Sequence, residues 1–201
     1  MLTSGVIIAF ITGVLGPVLL LIIKNAIDKK TTVKPDMIID ALETSKLIDF
    51  KLDKIRDDFN CDRVWIAQFH NGGHFYPTGK SIAKFSFMYE TVSTSVNSIQ
   101  LSFQNIPVYL FSKSINQLLE NNFISIGDYT DVTTPTYGLK YAAEEYGCKS
   151  GYLFAIKTID NKFIGFMGID YTKRKKQLSS QDINDLEVHS SSLGGVLINE
   201  K

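Results

Sequence analysis

The residues with the most chemical potential lie in Phe69-His70-Asn71-Gly72-Gly73-His74-Phe75. Two imidazoles stand four apart around Asn-Gly-Gly, and a carboxylate, Glu90, follows on the next apolar run. Histidines at this spacing share a metal only on a helix, where i and i+4 lie on one face. Here they follow the apolar run Val64-Trp65-Ile66-Ala67, which favours a strand and a turn. Across an Asn-Gly turn the two rings would face each other as a cross-strand pair, with Glu90 as a third ligand. The plainer reading gives Asn71-Gly72 the positive φ of a hairpin turn and leaves His70 and His74 as polar positions at its base. We adopt it, and assign no catalytic residue and no metal ligand. A histidine and a glutamate without a nucleophile do not make a hydrolase, and no G-x-S-x-G elbow, Walker loop, dinucleotide fingerprint, HExxH or EF-hand loop is present. Cys61 and Cys148 are too few and too distant for a disulfide scaffold or zinc site.

Binding is the better use of these residues. Glu90 follows Phe87-Met88-Tyr89, where it can orient a polar ligand, pair with His70, or face solvent. Tyr129, Tyr137, Tyr141 and Tyr146 gather around one helical stretch, and aromatics beside a sheet line small-molecule pockets or fill cores. The candidate ligand-binding set is His70, Phe87, Tyr89, Glu90, Tyr137, Tyr141 and Phe154, with Phe85, Phe87 and Phe154 also able to close the pocket. No cofactor is expected. Lys173-Arg174-Lys175-Lys176 is the one dense basic run; on a loop it reads first as solvated and second as a contact for anionic lipid. With 21 basic and 21 acidic residues the chain is formally neutral, which argues against nucleic acid.

The elements that position these residues begin with an apolar segment. Gly5–Ile23 carries no charge, and at ~1.5 Å per residue a helix of this length matches a bilayer core of roughly 30 Å. Gly13, Gly16 and Pro17 kink such a helix or allow close approach of another without abolishing the span. The leading MLTSG lacks the basic stretch of a cleavable signal. Lys24, Lys29, Lys30 and Lys34 follow the span and nothing basic precedes it, which orients the N-terminus outside and the bulk in the cytoplasm. The expected division is an exterior 1–4, a transmembrane helix 5–23, a basic linker 24–35 and a folded domain 36–201.

Within that domain Ile38, Leu42, Ile48, Leu52, Ile55 and Phe59 predict an amphipathic helix from Pro35-Asp36 to Asn60. Arg63–Phe69 predicts a central strand. Lys84–Val92 predicts a second, with Phe85, Phe87 and Tyr89 on one face. A helix over Val108–Asn121, with Leu110, Ile115 and Leu119 as its stripe, precedes a short strand, Phe123–Ile126. Tyr137–Tyr146 reads as a helix ended by Gly147. Gly151–Thr158 and Lys162–Tyr171 form a hairpin turning at Asp160-Asn161, with Gly165 and Gly168 marking a bulge or close backbone approach. A helix capped at Ser179 carries Ile183, Leu186, Leu193 and Leu197. This order is α+β.

The stretches DFNCDRVWIAQFHNGG and CKSGYLFAIKTIDNKFIGFMGIDYTKRKKQLSSQDINDLEVHSSSLGGVL resemble the start and end of a GAF domain, a relative of PAS sensor domains. The likeness covers 36–200. It implies a five- or six-stranded antiparallel sheet, terminal helices packed on one face and often mediating dimers, and a small-ligand pocket on the other. Neither cysteine sits in a bilin-attachment motif, the cysteine cluster of the methionine-sulfoxide-reducing type is missing, and Asn161-Lys162-Phe163 matches the cyclic-nucleotide motif in letters only. Taken with the apolar segment and its flanking lysines, the resemblance implies a non-catalytic sensor or protein-interaction module, membrane-anchored and cytoplasmic, a homodimer or higher oligomer. Two alternatives remain open: a phage-type structural or holin-like lysis protein oligomerising through Gly13 and Gly16, and an enzyme using His70 and Glu90.

Overall fold

A computed structural model describes residue 5 and residues 11–31, 37–131 and 138–198, in two compact units, 1–39 and 40–201. In the first unit a π-helical turn, Ile11–Leu15, leads into helix α1, Gly16–Thr31. Gly16-Pro17 falls at the junction, as suits a residue with no N–H to continue the ladder. The helix runs past Ile23 to Thr31, so most of the expected linker is helical. Among the described residues no helix is long and apolar enough to cross a membrane. Residues 6–10 of the expected span lie outside them.

The second unit is built on helix α2 (Met37–Phe59), six strands, and helices α3 (Ser112–Asn121), α4 (Gly138–Glu145) and α5 (Ser180–Ile198). The strands are β1 (Arg63–His74), β2 (Ser81–Val92), β3 (Ile106–Pro107), β4 (Phe123–Ile126), β5 (Ser150–Lys157) and β6 (Phe163–Tyr171). They form one antiparallel sheet in the order β3-β2-β1-β6-β5-β4. One face packs on α2 and α5 through Ile48, Leu52, Ile55, Val64, Phe154, Met167, Leu186 and Leu193. The other packs Trp65, Phe85, Phe87, Leu153 and Phe166 against α3, α4 and the 99–111 segment.

Local chemistry explains the ends of these elements. Asn122 closes α3 in the left-handed region, and Gly147 follows α4 at φ +72°. Asp182 N–H donates to Ser179 Oγ while Ser179 N–H donates to Asp182 Oδ2, a reciprocal cap on α5. Gly194 brings α5 against β5 so closely that a Cβ would lie 2.2 Å from the Lys157 carbonyl oxygen. Gly165 does the same in the sheet, where a Cβ would lie 2.2 Å from the Ala67 oxygen. The glycines of β6 thus mark close approach, as expected.

Four expectations need correction. Asn71-Gly72 is not the turn. β1 continues to His74, Gly72 and Gly73 form a bulge between the Asn71–Ala83 and His74–Ser81 pairs, and the chain reverses over Phe75–Lys80. The stem of Lys84 lies over Gly72, which has no side chain to oppose it. Second, Tyr89 does not share a face with Phe85 and Phe87. A bulge at Met88 pairs Ile66 with Tyr89 and Ala67 with Phe87, and the extra residue turns Tyr89 to the α2–α5 side. Third, the buried stripe of α3 is Ser114, Ile115 and Leu118; Leu110 and Leu119 are exposed. Fourth, α2 buries Ile48, Leu52, Ile55 and Phe59 but leaves Leu42 56% and Phe50 67% exposed, with Ile38 exposed as well.

Candidate ligand site

The second sheet face holds a buried charge cluster that its strand register assembles. Arg63 opens β1 directly across from Asp170 on β6, and Trp65 lies across from both Glu90 and Gly168. The Arg63 side chain is 1% exposed and that of Glu90 2%. Arg63 Nη1 donates to Asp170 Oδ2 at 3.1 Å and lies 3.5 Å from Cys148 Sγ, and Nη2 donates to the Asn97 carbonyl at 3.0 Å. Arg63 Nε sits 3.4 Å from Glu90 Oε1 without hydrogen-bond geometry. Trp65 Nε1 donates to the same Asp170 oxygen at 3.0 Å.

Each acid has a distinct task. Glu90 accepts the amides of Ile99 and Gln100 and the Ser98 hydroxyl, anchoring the short helical turn Gln100–Ser102. Its lone pairs are committed to the 98–100 segment, so it is a structural anchor as placed. Asp170 is buried. Burial pushes its pKa up, against the pull of the Arg63 guanidinium and the Trp65 indole. Burial also pushes the Tyr129 phenol and the Cys148 thiol up, helped by the Asp170 charge, and holds the Cys61 thiol at about 12. Neither thiol is a thiolate near neutrality, so neither is poised as a nucleophile.

Over this cluster Trp65 stacks on Phe87 at 4.1 Å, and Phe87 on Phe103 at 4.6 Å. Tyr146, just past α4, meets Phe103 edge-on at 5.7 Å. The space left between Arg63, Phe87, Tyr129, Tyr146 and Asp170 is about 20 Å³. That admits one water molecule and no organic ligand. Outside it, a cleft of about 410 Å³ between Asn97, Glu145, Tyr146 and Thr172 reaches Arg63.

The expected ligand set is not brought together. Phe87 lines the cavity, and Glu90 lies behind it. Tyr89 and Phe154 belong to the α2–α5 face, Phe154 stacked on Phe123 at 6.3 Å. His70 projects to that same side, its Nε2 2.9 Å from Ser86 Oγ. His70 and His74 share one strand rather than facing across a turn, and among the described residues no cluster suited to a metal ion forms. Tyr141 is exposed on α4, and Tyr137 lies outside the described residues. Arg63, Trp65 and Asp170 escaped the sequence reading. Their signal is a charged residue at an inward position of an otherwise apolar strand, in RVWIAQF and again in FIGFMGIDY.

No protein-family model and no curated protein matches the chain. Solved structures do. The blue-light-absorbing form of the PixJ GAF domain from Thermosynechococcus elongatus aligns with TM-score 0.61 at 13% identity, over 79% of this chain and 86% of that one. A far-red cyanobacteriochrome photoreceptor aligns with TM-score 0.63 at 12% identity, over 91% and 99%. The phycocyanobilin-bound GAF domain of a cyanobacterial phytochrome aligns with TM-score 0.61 at 17% identity, over 81% and 88%. At these identities the likeness is one of fold: the sheet and its helices are GAF-like.

Proposed function

We propose that this chain is a non-catalytic GAF-type sensor or interaction module that works as a homodimer, held at a membrane by Gly5–Ile23 with the folded domain in the cytoplasm. One observation carries it. Leu42, Leu47 and Phe50 are exposed on α2, while the opposite stripe of the same helix is packed into the core. Leu42, Lys46 and Phe50, spaced by four, lie on one side of the helix and suit a second copy of α2. A bilin such as the phytochrome domain holds would need the Trp65–Phe87–Phe103 stack dismantled, and neither thiol is disposed to attach it. Signalling by this module therefore runs through helix pairing, and a ligand acts only by favouring one packing of the helices over another.

The full chain in detergent micelles tests this by light scattering after size exclusion. The expected result is a dimer for the native chain and a monomer for Leu42→Glu/Phe50→Glu with unchanged circular dichroism. A native monomer at all concentrations overturns it.

A further inference from the structure

We propose that the tip of the β1–β2 hairpin docks on an anionic lipid bilayer, a contact separate from the tether. Its turn closes on itself: Phe75 N–H donates to the Lys80 carbonyl at 2.9 Å, and Gly79 N–H to the Phe75 carbonyl at 2.8 Å. A turn closed in this way holds its side chains outward. Tyr76 is 98% exposed and Phe75 45%. Aromatic rings with one polar edge favour the headgroup level of a bilayer.

Charge points the same way. From Arg63 to Leu119 the only acidic residue is Glu90, which is buried beside Arg63. The same stretch carries Lys80, Lys84 and Lys113. Neither Lys80 nor Lys84 is in an ion pair among the described residues. In a chain of zero formal charge this is a local positive excess beside exposed aromatics, the complement of an anionic headgroup layer. The denser run at 173–176 is a poorer candidate. Lys173 pairs with Asp62 at 3.3 Å, Lys175 pairs with Asp128, and Lys176 Nζ donates to the Phe59 carbonyl.

Placement within the domain agrees. Phe59 meets His189 at 6.1 Å and Lys51 Nζ donates to Ser192 Oγ, so α2 runs antiparallel to α5. Along α5, Ser190 Oγ donates to the Ala155 carbonyl and Gly194 abuts Lys157, so α5 runs with β5. The Ile156–Gly165–Gln68 register then sets the N-terminal half of α2 and the distal part of the β1–β2 hairpin at the same end of the sheet. Asp40, the first residue of the second unit, therefore lies toward the end of the sheet that carries the β1–β2 tip.

The test uses the full chain reconstituted in phosphatidylcholine vesicles with and without phosphatidylserine. Cys61 and Cys148 are buried, so Tyr76→Cys can be labelled selectively with an environment-sensitive nitrobenzoxadiazole group. With phosphatidylserine the label shifts to the blue and is quenched by spin-labelled lipid. A label at Thr94→Cys, in the exposed turn that follows β2 at the other end, does not change. Lys80→Glu with Lys84→Gln weakens the Tyr76 response about tenfold or more, since each lysine contributes roughly fivefold near an anionic surface. A Tyr76 label that behaves as the Thr94 label does, or responds equally in both lipids, overturns the proposal. So does shielding from aqueous iodide without quenching by lipid, which assigns the tip to a protein surface. Salt-washed flotation reads the tether separately: loss of flotation with quenching retained sinks the tether alone, and the reverse sinks the hairpin contact alone.

Discussion

Trp65 and Gly168 face each other across β1 and β6, and a Cβ on Gly168 would come within 2.1 Å of the indole. The glycine is the space in which the Trp65–Phe87–Phe103 stack stands. Gly168→Ala should push the ring from that stack and cost about 1–3 kcal/mol. Trp65 is the only tryptophan, so a red-shifted emission spectrum and a melting temperature lowered by several degrees report the change directly.

Arg63 is the one cation between two buried acids, Glu90 and Asp170. Arg63→Met leaves both without it and should lower unfolding free energy in urea by about 3–5 kcal/mol. Removing an acid together with the arginine should recover part of that loss, because one fewer buried charge is then unpaired. Arg63→Met/Asp170→Leu is therefore expected to be more stable than Arg63→Met.

Both thiols should be inert in the native state. Burial holds Cys61 at about 12 and Cys148 higher still. At mildly alkaline pH a disulfide reagent such as dithiobis-nitrobenzoate is expected to label neither until denaturant is added, and then both.

Asp62 supplies a pH signature. Burial works to raise its pKa, but the Lys173 and Thr172 amides, at 3.0 and 2.8 Å, and the Lys173 ammonium hold it below the ordinary aspartate value. Its folded value lies under its unfolded one, so these bonds stabilise above the ordinary aspartate range and are lost as pH falls through the depressed value. Asp62→Asn should cost about 1–3 kcal/mol at neutral pH. Its deficit against the native chain should shrink as the solution is acidified below the ordinary aspartate range.

Much of the fold was legible from periodicity. The C-terminal hairpin, the Gly147 stop and the Ser179 cap each announce themselves through local chemistry, and β4 matched to the residue. Asn71-Gly72 misled because the same dipeptide suits a turn and a bulge. The choice between them is made by pairing partners seven and twelve residues away, Ser81 for His74 and Ala83 for Asn71. Tyr89 misled for a related reason, since one inserted residue at Met88 reverses which face it joins, and no local propensity records it. The charge cluster was least legible, because Arg63 and Asp170 meet only through strand register across 107 residues of chain.

The central claim is that α2 pairs with its copy at a membrane, and disulfide trapping through Leu42→Cys tests it most directly. In membranes from cells expressing the full chain, mild oxidation should give a species of twice the 22.5 kDa chain mass in the pellet. The same treatment of Lys113→Cys, exposed on α3 over the other sheet face, should give none. A Leu42→Cys chain that stays single under oxidation, or that is recovered in the supernatant without detergent, would contradict the account.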